Sequence, residues 1–207
     1  MLHRETVNSE LFGLLIELFH DDYFNDYFLV GGTALALKYG HRVSVDIDLF
    51  TKSEINIEEL LQRTHDFGEV DVTGSNKGGL NVLIDGIKVD FVRHDYPLIK
   101  PVEHHGEFKL LSNIDIAAMK IGAIISRRSK KDFIDFFRLS KDFSLKEMMK
   151  AYTDKYGHQL FTTAILKSLT DFGVADSELT PKLYLEEDWE GIKIKIREFV
   201  IDNSFNA

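Results

Sequence analysis

The sequence predicts an α+β fold, a mixed β-sheet with flanking helices over residues 1–100 followed by a C-terminal helical unit over 101–207 packed on it. Three observations predict it. Short apolar or alternating runs in the first half stop at glycines or an Asp-Gly pair, which is how strands end. Leucine-rich stretches with 3-and-4 spacing lie among them, so helices and strands are mixed. Beyond Pro101 the strand signals cease and helical stretches recur, beginning near Ile114, Ser129 and Ser144.

Taken in order, Leu11, Leu14, Leu15, Leu18 and Phe19 share one face and make Glu5–Phe19 an amphipathic helix. Tyr27–Val30 is a buried strand halted by Gly31-Gly32. Thr33–Tyr39, rich in Ala and Leu, is a helix with Gly40 at its C-cap. Val45–Phe50 alternates apolar and acidic residues, the period of a half-buried strand. Ile57–Arg63 is a short helix. Gly78–Ile84 and Ile87–Val92 flank Asp85-Gly86, the dipeptide of a two-residue hairpin. In the second half Ile114–Ser126 is a helix with Ile, Ala and Met on one side. Ser129-Lys130-Lys131-Asp132 has capping-box spacing and starts a helix through Leu139, and Ser144-Leu145-Lys146-Glu147 repeats the signal. His158–Phe172 and Asp188–Ile201 also have helical period, and Phe133, Phe136 and Phe137 read as helical core. His104-His105 reads as a loop pair, because neighbouring histidines point apart on a strand.

The composition sets limits. The chain has 207 residues, 44% hydrophobic and 29% charged with 3 Pro, which suits one compact domain or two small ones. It has no cysteine, which excludes disulfides, thiol catalysis and thiolate metal sites. No apolar run approaches the roughly 18 residues of a membrane span, and Met1–Glu5 lacks a signal-peptide pattern. A cytoplasmic protein with no membrane partner is expected. The charge is 25 − 34 = −9, against a general DNA-coating protein but not against a local basic site.

Asp46 and Asp48 carry the chemistry. On a strand, residues i and i+2 share a face about 6.6 Å apart, and their side chains can lean toward one point. Two carboxylates about 5 Å apart repel by roughly 3 kcal/mol at an effective dielectric near 20. A fold leaves such a pair in water or sets a cation between them, and the apolar neighbours Ile47, Leu49 and Phe50 favour the cation. Asp90 shares a face with Lys88 in the next alternating run. If that strand lies beside Val45–Phe50, three carboxylates meet on one patch. All-oxygen ligation suits Mg²⁺ or Mn²⁺, which also bind substrate phosphates. Asp90 is then placed to take a proton from an acceptor hydroxyl.

Gly31-Gly32-Thr33 joins a strand to a helix start. Unpaired N–H groups there, at the positive end of the helix dipole, suit phosphate oxygens, and glycine allows close approach. Between Ile116 and Lys131 there is no acid, while Lys120, Arg127, Arg128, Lys130 and Lys131 are basic. In one continuous helix Lys120, Arg127 and Lys131 fall on one face; a break at Ser129 removes Lys131 from it. Lys120, inside an Ala-Met-Lys-Ile helix, needs a partner for its charge. Arg128 and Lys130 read as a solvated face, and Asp115 and Asp135 as caps or pairing partners.

These stretches resemble the nucleotidyltransferase-like toxins of the AbiEii/AbiGii group, within the DNA polymerase β-type nucleotidyltransferase superfamily. The resemblance rests on Gly31-Gly32-Thr33-Ala34-Leu35-Ala36-Leu37, Arg42-x-Ser44-x-Asp46-Ile47-Asp48-Leu49-Phe50, Lys88-Val89-Asp90 and Asp115–Lys120, followed by Arg127 and Lys130–Asp135. It implies a nucleotidyltransferase-type mixed sheet with Asp46, Asp48 and Asp90 as metal-binding catalytic carboxylates, joined by Lys120. It implies nucleotide contacts from Gly31, Gly32, Thr33, Ser44, Arg127, Lys131 and Asp132. The superfamily often has Gly-Ser where this chain has Gly31-Gly32, with Thr33 a possible source of the hydroxyl. The implied activity is transfer of a nucleoside monophosphate from a nucleoside triphosphate to an acceptor, an RNA such as a tRNA 3′ end or a protein hydroxyl, with a cognate antitoxin as partner. Two other readings stay open on the residues alone. One is an Asp-x-Asp metal-dependent glycosyltransferase; the other is a nucleotide-binding module without turnover.

Overall fold

In the computed structural model, which describes residues 1–157 and 162–204, the chain divides into two compact units. The first takes Met1–Asp95 and Val102–Leu111; the second takes Tyr96–Pro101 and the chain from Ser112 onward.

The first unit holds a mixed sheet of seven strands among the described residues. They are β1 (Tyr27–Leu29), β2 (Asp46–Thr51), β3 (Val70–Asn76), β4 (Gly79–Ile84), β5 (Ile87–Arg93), β6 (Glu103–His105) and β7 (Phe108–Leu110), ordered β3-β4-β5-β2-β1-β7-β6. The pairs β2/β5 and β1/β7 are parallel and the rest antiparallel. Along β2 the alternation is literal: Ile47, Leu49 and Thr51 are buried while Asp46, Asp48 and Phe50 are half-buried. The apolar face continues through Val82, Val89 and Phe91, with Phe24 stacked on Phe91 at 5.4 Å between ring centres. Burying each such side chain contributes roughly 1.5–3 kcal/mol. Asp85 and Gly86 both take positive φ, 48° and 78°, the two-residue turn that keeps Ile84 opposite Ile87.

Three helices accompany the sheet: α1 (Ser9–His20), α2 (Gly31–Tyr39) and α3 (Ile57–Thr64). Asn8 caps α1 by accepting from the Leu11 N–H at 2.7 Å. Helix α1 starts four residues after its predicted start, because Arg4–Thr6 forms a separate 3-10 turn. In α2 the run Thr33–Leu37 is wholly buried, as an all-apolar helix must be. Gly40 ends it at φ +66°.

The second unit is helical: α4 (Asn113–Arg127), α5 (Lys130–Leu139), α6 (Leu145–Tyr156), α7 (Thr162–Leu169), α8 (Gly173–Asp176) and α9 (Trp189–Ser204). Ser144 and Glu147 form the expected capping box at α6. Ser129 does not form one at α5. Its hydroxyl donates to Glu178 at 2.8 Å, and Asp132 is taken by cations described below. Helices α4 and α5 are separate, since Arg128 is left-handed at φ +52°, so Lys131 loses the shared face. Of the predicted helix His158–Phe172, residues 158–161 lie outside the described residues, and α7 ends at Leu169. Phe133, Phe136 and Phe137 are buried, with Phe133 4.8 Å from Phe172. A fully buried ion pair joins Lys155 of α6 to Asp115 of α4 at 2.7 Å.

Candidate active site

In the first unit, parallel pairing of β2 with β5 sets Asp46 opposite Lys88 and Asp48 opposite Asp90. Same-face residues along a strand are about 6.6 Å apart and neighbouring strands about 4.8 Å, so these four form a small rectangle on one face of the sheet. Three corners are acidic and one is basic. Lys88 donates to Asp90 Oδ2 at 2.5 Å, and the Asn81 amide on β4 donates to Asp90 Oδ1 at 2.7 Å. Burial works against the Lys88 charge, but the bond to Asp90 and the charges of Asp90, Asp46 and Asp48 outweigh it and hold Lys88 above the usual lysine range. Lys88 therefore lies in the field of all three carboxylates.

The Gly31-Gly32 bend abuts this rectangle. Gly31 has φ +69°, which favours glycine, and a Cβ there would meet Asp48 Oδ2 at 2.4 Å, so any side chain at this position would push that carboxylate aside. The Val30 N–H donates to the Asp48 carbonyl at 2.9 Å and fixes the approach. A Cβ at Gly32 would meet the Arg42 guanidinium at 2.1 Å and Ser44 Oγ at 3.4 Å. Arg42 and Ser44, both buried, thus fill the space over Gly32. Thr33, also buried, turns its hydroxyl to the Asp46 carbonyl and to Ser44 Oγ at 2.9 Å. That hydroxyl pins α2 to the start of β2, and the start of α2 has no side-chain cap from Val30.

Among the described residues no group of three or more His, Cys, Asp or Glu side chains is gathered closely enough to hold a metal ion. The donor set nevertheless fits a hard divalent cation in kind: three carboxylates on one face, already sharing the field of a cation, here the Lys88 ammonium.

The second unit gathers the other residues singled out by sequence. Lys120 on α4 donates to Asp132 at 2.8 Å and pairs with Asp135 at 2.6 Å. Arg127 grips Asp132 with two nitrogens, Nε at 2.7 Å and Nη2 at 3.0 Å. Burial pushes the Asp132 carboxyl up, but Lys120 and Arg127 overcome this and hold it below the usual carboxylate range. Lys120 thus has the partners its burial demands, both Asp132 and Asp135. Lys130 departs from the solvated face expected of it. It is buried, donates to the Glu178 carbonyl at 2.5 Å and lies over the Trp189 ring at 5.1 Å. Asp115 is a buried pairing residue rather than part of this network.

His104 and His105, expected in a loop, lie on β6, where strand pairing with β7 overrides their weak propensity. A cavity of about 200 Å³ lies at the opposite end of β2, lined by residues including Tyr23, Asp26, Thr51 and Glu59. Sequence reasoning gave no role to Lys88, Asn81 or Arg42. The signal for Lys88 was present, since it sits two residues before Asp90 and therefore on the same face; Asn81 depends on β4 pairing and Arg42 on a loop path.

The AbiEii model, described as a nucleotidyl transferase toxin of a type IV TA system, matches residues 13–207. An Aquifex aeolicus (strain VF5) protein, Uncharacterized protein aq_aa25, is 36% identical over 184 residues, covering 85% of this chain and 89% of that one. Among solved structures, MenT4, the nucleotidyltransferase toxin Rv2826c of Mycobacterium tuberculosis H37Rv, superposes with a TM-score of 0.61 at 16% identity, over 93% of this chain and 82% of its own. JHP933 from Helicobacter pylori gives 0.57 at 16%, over 97% and 98%. At such identity the structures share the fold. Matched over nearly its whole length by the family model, this chain belongs to the AbiEii nucleotidyltransferase toxin family.

Proposed function

We propose that this nucleotidyltransferase moves a nucleoside monophosphate from a nucleoside triphosphate to an acceptor hydroxyl, with Mg²⁺ or Mn²⁺ held by Asp46, Asp48 and Asp90. The observation that supports this reading most is the register that sets Asp48 opposite Asp90, with Asp46 on the same face and the Gly31 bend against Asp48. A divalent cation, when bound, supplies charge neutralisation between these carboxylates and the triphosphate, whose negative charges repel each other when bare. The protein's own groups do the rest. Main-chain N–H groups of Gly31, Gly32 and Thr33, at the dipole-positive start of α2, bind phosphate oxygens. Ser44 adds its hydroxyl, while the Thr33 hydroxyl keeps α2 and β2 in register. Asp90 accepts the proton of the acceptor hydroxyl, whose oxygen attacks the α-phosphorus. The bond to the β-phosphate oxygen breaks, and pyrophosphate leaves with that electron pair.

In the helical unit, taken by itself, Lys120 and Arg127 on α4, and Lys131 off their shared face on α5, are proposed as phosphate-binding cations. Asp132 serves them as a positioning residue, because both of its oxygens are engaged by Lys120 and Arg127. The acceptor is an RNA, a tRNA 3′ end foremost, or a protein hydroxyl; a cognate antitoxin in the cytoplasm is the proposed protein partner. No helix among the described residues is long and apolar enough to cross a membrane. The test is incubation with each α-labelled nucleoside triphosphate, Mg²⁺ and total cellular RNA or lysate. Asp46→Asn or Asp48→Asn should abolish labelling with the fold intact. Labelling that survives both changes overturns the proposal.

A further inference from the structure

The rectangle on β2 and β5 contains a cation of its own. Lys88 stands at the corner opposite Asp46, two residues from Asp90, and its ammonium contacts an oxygen of Asp90 at 2.5 Å. Its side chain is 46% exposed, against 17% for Asp90, so the ammonium can leave toward solvent without repacking the sheet while the carboxylate stays in place. The Asn81 amide holds the other Asp90 oxygen and keeps that carboxylate oriented whether or not Lys88 remains.

From this geometry we infer that Lys88 is a resident counter-cation that occupies Asp90 in the nucleotide-free protein and moves to the triphosphate when a divalent cation enters. The inference rests on the metal-dependent reading above. A divalent ion and the Lys88 ammonium compete for the same oxygen, and their like charges disfavour joint occupancy. Once displaced from Asp90, the ammonium is left with the charges of Asp46 and Asp48, which the same metal neutralises, until the phosphates arrive. Lys88 thereby couples the two: metal alone binds weakly, and metal with a polyphosphate binds well, the two affinities being linked reciprocally. A site built this way loads metal well only together with substrate.

The coupling predicts effects of opposite sign from one substitution. Mn²⁺ alone is titrated into the full chain and free Mn²⁺ is followed by electron paramagnetic resonance. Lys88→Met should bind it about tenfold more tightly than the parent, and Lys88→Arg, which keeps the charge, should not. Magnesium tripolyphosphate is the second probe, and Lys88→Met should bind it several-fold more weakly. Circular dichroism and thermal unfolding in EDTA verify the fold, with Lys88→Gln as the substitute if Lys88→Met does not fold. Equal or weaker Mn²⁺ binding by the neutral variant overturns the inference, as does a change of the same sign with both probes. The Asp48→Asn variant separates the two readings: tight Mn²⁺ binding by Lys88→Met that Asp48→Asn leaves unaltered removes the carboxylate site itself, and the inference with it.

Discussion

Replacing Gly31 by alanine tests the close approach of the α2 bend to Asp48, and Gly86 supplies the control. Both glycines have similar positive φ, +69° and +78°, so alanine at either should cost about 1 kcal/mol of left-handed strain. They differ in surroundings. At Gly86 a Cβ meets nothing within 4 Å, whereas at Gly31 it meets Asp48 Oδ2 at 2.4 Å. That overlap is with the free end of a side chain, so it is relieved mainly by moving the carboxylate and adds little to the loss of stability. Gly31→Ala and Gly86→Ala should therefore each lose about 1 kcal/mol by urea unfolding, and differ in what happens to Asp48. The overlap is with a carboxylate proposed to be catalytic, and displacing a reacting group by about 1 Å costs on the order of 100-fold in rate. Label transfer should fall by that factor in Gly31→Ala and stay near the parent level in Gly86→Ala. Equal transfer by the two variants would refute the idea that a side chain at Gly31 displaces Asp48.

Two further predictions concern the helical unit. Asp115 accepts from the Ile99 N–H at 2.8 Å, the Lys100 N–H at 3.0 Å, Ser112 at 2.6 Å and Lys155 at 2.7 Å, so Lys155→Met leaves a buried carboxylate short of its counter-ion. The loss should be about 3–5 kcal/mol, seen as a lower urea midpoint, and a change under 1 kcal/mol would deny the pair any structural role. The second is acid sensitivity. Burial opposes ionisation of Asp115 and Asp132, yet their donors and cations win, and both are held below the usual aspartate range. The unfolded chain then binds more protons than the folded one. Their stabilisation is whole above about pH 5, and it is lost as pH falls below the ordinary value near 3.9 and through the depressed native values. Asp132→Asn should flatten the acid limb of stability against pH followed by circular dichroism; an unchanged slope would contradict this.

Local patterns made most of the first unit legible. The alternation in Val45–Phe50 and Ile87–Val92 put Asp46, Asp48 and Asp90 on polar faces, and Asp85-Gly86 announced the hairpin that forms. Strands β3, β6 and β7 were not legible. β3 is a mostly exposed edge whose register shifts between Val72 and Gly74, and β6 and β7 have three residues each, so none has an apolar period to read. The capping-box spacing at Ser129 misled because side chains from distant sequence, Glu178 for Ser129 and Lys120 with Arg127 for Asp132, offered better partners.

By itself the sequence determined which residues are acidic, where glycine permits a bend and which strand faces are polar, because periodicity and backbone freedom are local properties. Tertiary structure decided the rest. Parallel pairing of β2 with β5 set the register that makes Asp48 face Asp90 and gives Lys88 the fourth corner. The approach of α2 to β2 made Gly31 a neighbour of Asp48, and the fold of α5 against α4 turned Asp132 toward two cations. Each is a contact between segments far apart in the chain, fixed by which apolar faces bury together, and no local pattern encodes it.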